Sequence, residues 1–228
     1  MRITTSQIEL PPRQVLPAGV RWATAAEIVT VYAAILLYIW RWHQAFPRFW
    51  IILLIMVLAS QVLHRNTPRA LGLFSSDLMA GARVILPLAL AIYVPAVLVG
   101  FATGRLVFIP PTRFTPVILL AYGSWCAFQQ YLLQSYFNHR LMSVTPNRHL
   151  SSLLAALIFG AAHLPNPILT VVTTLGGFLL AEVFARHRNI WPLALAHATG
   201  GLLVAALSPA WLIHNMRVGP GYFRYGLR

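Results

Sequence analysis

The sequence predicts an all-α, polytopic transmembrane helix bundle of about seven spans, with six to eight as the range. Three observations predict it. First, 58% of the 228 residues are hydrophobic and only 9% are charged, against roughly a quarter charged in an ordinary soluble domain. So few charges cannot clothe a chain of this size in water, and lipid must replace it around much of the surface. Second, apolar runs of helix length recur along the chain, separated by turn chemistry. Third, the charge is almost all arginine: seventeen Arg, no Lys, and the four acids Glu9, Glu27, Asp77 and Glu182. The arginines fall in ones and twos between the apolar runs, where helix ends meet anionic headgroups, and they form no patch for nucleic acid. The single cysteine, Cys126, excludes an intramolecular disulfide and a cysteine metal cluster.

Taken in order, residues 1–22, with Pro11, Pro12 and Pro17, read as a polar arm. The apolar run after it shows no small-x-small cleavage site and reads as a retained first helix. Spans follow at 23–40, 49–63, 77–103, 115–142, 150–164, 168–185 and 190–208. Their breaks hold Phe46-Pro47, Asn66-Thr67-Pro68, Pro110-Pro111, Thr145-Pro146-Asn147 and Leu164-Pro165-Asn166-Pro167. Spans 49–63 and 150–164 are short for a full crossing, and 77–103 is long, its polar opening from Asp77 to Arg83 reading as interfacial. Residues 23–114 are accessory helices, 115–208 a four-helix core, and 209–228 a basic tail. No repeat of fixed period divides the chain. The arginine distribution favours a cytoplasmic N-terminus under the positive-inside rule by a narrow margin, and a bacterial inner membrane is the expected location.

Polar groups in hydrocarbon are expensive, so those that persist mark candidate function. Gln130, Gln134 and Asn138 are spaced i, i+4, i+8 and form a stripe on one helix, with Gln129 about 100° round the helix from Gln130. Such a stripe serves either as interhelical glue or as one wall of a polar cavity. His163 ends a helix before a Pro-Asn turn, either as an interfacial histidine or as part of a site. His197 falls mid-span among small and apolar neighbours and needs a partner, structural or functional. Glu182 reads as the carboxylate deep in a helix, with Arg186 at i+4 as its neutralising partner, a functional carboxylate and an interfacial glutamate being the other readings. Two histidines without a carboxylate or thiolate make no zinc site, and no cofactor is predicted.

These residues, in this order, resemble the CAAX-protease and bacteriocin-processing (CPBP, or Abi) family of intramembrane glutamic endopeptidases, over roughly 115–208. Phe159 and His163, with Asn166 three residues on, match its second motif. The stretch from Gly176 through Asn189-Ile190-Trp191-Pro192 to His197-Ala198 matches the third, and Arg69-Ala70-Leu71-Gly72-Leu73 resembles the linker ahead of the core. The resemblance implies a site at Gln129, Gln130, Gln134, His163, Asn166 and His197. In the family the first motif is Glu-Glu-x-x-x-Arg, whose glutamate activates water while the histidines orient it and stabilise the oxyanion. This chain reads Gln129-Gln130-x-x-x-Gln134, and the asparagine four residues beyond the last histidine is Gly201. An amide is nearly isosteric with a carboxylate yet cannot take a proton at neutral pH, and general-base help is worth about 10²- to 10⁴-fold.

Two functions therefore compete. One is a binding or assembly subunit that has lost glutamate-based proteolysis and holds a membrane-protein partner. The other is an endopeptidase acting on lipidated or membrane-anchored proteins through histidine-based chemistry. A lipid- or isoprenoid-binding protein is a third reading. Membrane lipids are partners under all three, and nucleic acid under none.

Overall fold

The computed structural model describes residues 17–74, 77–107 and 112–225. Among these the secondary structure is helical, without strands. The helices are α1 (Ala18–Ala45), α2 (Phe49–Leu63), α3 (Leu78–Ala102), α4 (115–144), α5 (Arg148–Ala161), α6 (Pro167–Arg186) and α7 (Trp191–Leu207). Two short helices follow, α8 (Ala210–Ile213) and α9 (Pro220–Phe223).

Helices α1 to α7 fall on the seven predicted spans, and the differences have local causes. Helix α1 starts at Ala18 because the Pro17 carbonyl accepts the Arg21 N–H at 3.0 Å, so the last residues of the predicted arm are helical. Residues 1–16 of that arm lie outside the described residues. Helix α3 runs unbroken from Leu78 through Pro87 and Pro95, prolines that membrane helices tolerate because neighbours re-satisfy the freed carbonyls. Helices α1, α3 and α6 are long and apolar enough to cross a membrane. Helices α2 and α5, with 15 and 14 residues, rise only about 21–23 Å at 1.5 Å per residue, short of the roughly 30 Å hydrocarbon core.

Within the most apolar stretches of α1 and α3 only 17% of residues are buried inside the fold. The remainder, including Leu90, Leu98 and Phe101 on α3, is apolar surface that water would not solvate, and it faces lipid. The chain is a helical integral membrane protein. Its interior has two packed clusters. Leu133, Tyr136, Phe137 and Leu141 of α4 meet Ile28 and Val31 of α1, Val57 of α2, Ala155 and Phe159 of α5, and Ala181 of α6. Ile85 and Ala89 of α3 meet Leu180, Val183 and Phe184 of α6, and Leu193 and Ala196 of α7. Helices α4 and α6 thus join α1, α2 and α3 to α5 and α7. Close helix approach, not hydrophobic drive, decides association in lipid, and Gly160 shows it: a Cβ there would occupy the place of the Thr174 hydroxyl on α6.

The predicted basic tail is folded back onto the bundle over residues 209–225. Gly219 N–H donates to the Leu164 carbonyl at 2.8 Å, and His214 stacks on Tyr222 with ring centroids 3.9 Å apart. Three consecutive residues other than glycine, His214, Asn215 and Met216, have φ of 47°, 50° and 57°. Each such residue costs on the order of 1–3 kcal/mol, so the surrounding contacts must over-determine this turn.

Candidate functional site

Helix α4 changes character where the polar stripe begins. Thr115–Gln130 is α-helical, Tyr131–Asn138 is a π-helix, and His139–Val144 returns to α. Wide i→i+5 turns are uncommon and recur at functional sites. Here neighbouring segments of the chain hold the widened segment open. The Ser135 hydroxyl donates to the Leu71 carbonyl at 2.6 Å, and Gln61 Nε2 donates to the Ser135 carbonyl at 3.0 Å.

Along this segment the amides form a continuous ladder. Asn138 Nδ2 donates to Gln134 Oε1 at 3.0 Å, and Gln134 Nε2 donates to Gln130 Oε1 at 3.2 Å. Gln130 Nε2 lies 3.2 Å from His197 Nδ1 on α7. Gln130, Gln134 and Asn138 are fully buried. Because Gln130 Oε1 accepts from Gln134, its Nε2 is the donor, so His197 Nδ1 accepts and its Nε2 carries the proton. His163 has the opposite tautomer: its Nδ1 donates to the Phe159 carbonyl at 2.7 Å, leaving Nε2 as an open acceptor. The Phe159 ring lies edge-on to both imidazoles, with centroids 4.8 Å from His163 and 5.4 Å from His197. Both histidines are half-buried, as is Gln129. The group therefore offers one N–H and one lone pair from two neutral imidazoles, backed by a neutral amide ladder.

Gln130, Gln134, His163 and His197 are gathered into one group, whereas Asn166 is used elsewhere. Fully buried, it caps α6 by accepting the Leu169 N–H at 3.2 Å, and its Nδ2 donates to the carbonyls of Ile213 at 2.7 Å and Arg217 at 3.2 Å. Gly201, at the asparagine position, abuts Tyr122 of α4: a Cβ there would overlap the tyrosine hydroxyl. A group of three or more metal-ligating side chains is absent among the described residues.

The carboxylates of the described helices are engaged away from His163 and His197. Glu182 Oε2 lies 3.1 Å from His149 Nδ1 and 3.8 Å from Arg186, so the expected i+4 pair is the longer of two contacts. Sequence reasoning missed Glu27. It is the centre of a polar knot in which Oε1 accepts from the Ser60 hydroxyl at 2.5 Å and the Tyr136 hydroxyl at 2.8 Å. Arg140 Nε approaches the same oxygen at 3.5 Å, and His64 lies 2.9 Å from Oε2. Glu182 is thus not the sole carboxylate within a helix. The signal was present, since Glu27 sits inside the predicted 23–40 span with no basic residue three or four positions away.

A polar helix, an aromatic-histidine helix end, and a histidine helix entered by Trp191-Pro192 thus meet in one group. Residues 111–203 match the family model described as Type II CAAX prenyl endopeptidase Rce1-like, in agreement with the resemblance read from the motifs. The match runs from the start of α4 through most of α7 and leaves α1–α3 outside it. No curated protein and no solved structure matches the chain.

Proposed function

We propose that this membrane protein has the CAAX-protease-type core without its glutamate-based proteolysis, and that it acts as a binding or assembly subunit for a membrane partner. The observation that carries this reading is the closed amide ladder. Gln130 and Gln134 are fully buried and hydrogen-bonded to each other and to His197, so the positions of acid and arginine are filled by neutral, mutually satisfied groups. A buried arginine beside neutral glutamines would be an unpaired charge, so replacing all three together keeps the site stable without a base. What is left can hydrogen-bond a neutral polar group, such as a backbone amide of a partner helix, through the complementary histidine tautomers. An inner-membrane location with a cytoplasmic N-terminus belongs to the same reading.

The second reading, an endopeptidase with altered chemistry, is favoured by one feature: the unoccupied lone pair on His163 Nε2, which could accept a proton from water. Reconstituting the full chain in liposomes with membrane-tethered peptides ending in a prenylated cysteine motif separates the two. The binding reading expects no cleavage by the natural chain, and a gain in the triple variant Gln129→Glu, Gln130→Glu, Gln134→Arg. Cleavage by the natural chain that disappears in His163→Gln would overturn it in favour of the second. Co-purification of a stoichiometric membrane protein in mild detergent, weakened by His197→Ala, would identify the partner.

A further inference from the structure

The two ends of the bundle both carry arginines and differ in where the carboxylates lie. Each carboxylate of the described residues lies towards one end: Glu27 near the start of α1, Asp77 just before α3, and Glu182 in the last turns of α6. The opposite end is formed by the close of α1, the 103–107 and 112–114 segments, the turn from Ala162 to Asn166, and residues 208–225. It carries Arg41, Arg48, Arg105, Arg113, Arg217 and Arg224. The pieces are joined directly, by Gly219 N–H to the Leu164 carbonyl and by Val107 N–H to the Ala206 carbonyl, 2.8 and 2.9 Å.

At this second end, which has arginines and no carboxylate among the described residues, a cleft of about 750 Å³ opens between α1 and the C-terminal segment. It is lined by His43, Gln44, Met216, Arg217, Gly221 and Arg224, among others, and its size is within the roughly 300–1,000 Å³ of small-molecule sites. Neither guanidinium has an ion-pair or hydrogen-bond partner among the described residues. The frame beneath them is rigid, however. Asn166, fully buried, holds the Arg217 carbonyl. Gly219 has φ +54°, and a Cβ on it would press on Ile39 of α1 at 3.0 Å. The left-handed run His214–Met216 delivers Arg217 into the cleft at a strained turn, and strain of that kind concentrates where a ligand is held. Trp40, Phe46 and Trp211 are exposed close by in sequence, as an aromatic belt at headgroup depth would be.

We propose that this cleft is a binding site for a phosphate-bearing anion, taken as an anionic glycerophospholipid headgroup at the membrane surface, with Arg217, Arg224 and His43 as donors. Two guanidiniums match phosphate oxygens in a way that a zwitterionic headgroup, with its own ammonium, would oppose. The site is independent of the histidine group, and the proposal stands whether or not the core cleaves anything.

Delipidated full-length protein in non-ionic detergent is titrated, by calorimetry, with short-chain phosphatidylglycerol, short-chain phosphatidylcholine and inorganic phosphate. Saturable phosphatidylglycerol binding with competition by phosphate, and none for phosphatidylcholine, is expected. The Arg217→Gln/Arg224→Gln variant should bind about thirtyfold more weakly, and Arg217→Lys/Arg224→Lys within about threefold of the natural chain, from roughly a fivefold contribution per surface cation. The lysine variant guards against loss of fold in the glutamine one. Equal affinity for phosphate and phosphatidylglycerol, both lost in the glutamine variant, would support the phosphate site and make free phosphate its ligand. Unchanged binding in the glutamine variant would overturn the proposal. So would an equal loss in Arg105→Gln/Arg113→Gln, at the same end but outside the cleft, because that is diffuse surface charge.

Discussion

Glu27→Gln tests the polar knot between α1, α2 and α4. The glutamine oxygen can still accept from the Ser60 and Tyr136 hydroxyls, so the substitution removes charge with little change of shape. It strands Arg140, whose Nη2 donates to the Ser60 carbonyl at 3.2 Å, the Ser60 hydroxyl at 2.9 Å and Gln61 Oε1 at 3.2 Å. Its side chain is only 4% exposed, against 25% for Glu27. Breaking a fully buried pair costs about 3–5 kcal/mol, and an exposed one about 0–1. With one partner a quarter exposed and a closest contact of 3.5 Å, the expected cost is about 2 kcal/mol. At about 2–4 °C per kcal/mol for a chain of this length, the melting temperature in detergent should fall by about 4–8 °C. Arg140→Met should cost more, because it also removes the three hydrogen bonds that the guanidinium gives the Ser60 carbonyl, the Ser60 hydroxyl and Gln61 Oε1. In the double variant the two losses should overlap by at least about 1 kcal/mol. The assay is thermal unfolding followed by tryptophan fluorescence. A shift under about 1 °C for Glu27→Gln, or strictly additive losses, would refute the reasoning.

Gly201→Asn, which restores the family's asparagine, should destabilise the fold by about 1–3 kcal/mol through overlap with the Tyr122 hydroxyl. Tyr122→Ala should relieve much of that loss, and equal melting temperatures for Gly201→Asn with and without it would show that the overlap is not the cause. Arg186→Gln should change stability by less than about 0.5 kcal/mol, since its contact with Glu182 is 3.8 Å long and its side chain half exposed. A urea or thermal shift beyond that would show that the pair matters more than its geometry.

The fold was legible because hydrophobic run length and Pro-Asn turn chemistry act locally: the spans at 49–63 and 168–185 sit within a residue or so of α2 and α6. The amide ladder was legible for the same reason, since i+4 spacing keeps Gln130, Gln134 and Asn138 within reach of one another. What escaped depended on tertiary placement. Asn166 has a motif position, yet the folded-back 213–217 segment claims its amide, and nothing near it in sequence announces that. Glu27 and Arg140 are 113 positions apart, so neither residue's neighbours reveal the other. The packing of residues 209–225 likewise depends on Gly219 meeting α1, where composition alone suggested only a basic tail.

The π-helix of α4 also works as a phase adapter. Each of its turns holds about one residue more than an α turn, so the stretch from Tyr131 to Asn138 sets the helix back relative to an unbroken α-helix. Before it, Gln130 faces α7; after it, Arg140 faces α1 and α2. One continuous rod therefore presents two polar faces whose relative angle is fixed by its winding. Deleting Leu132 would rotate one face against the other without removing a polar side chain from either. Helices α1 and α2 on one side and α7 on the other are in this sense geared together through the winding of α4.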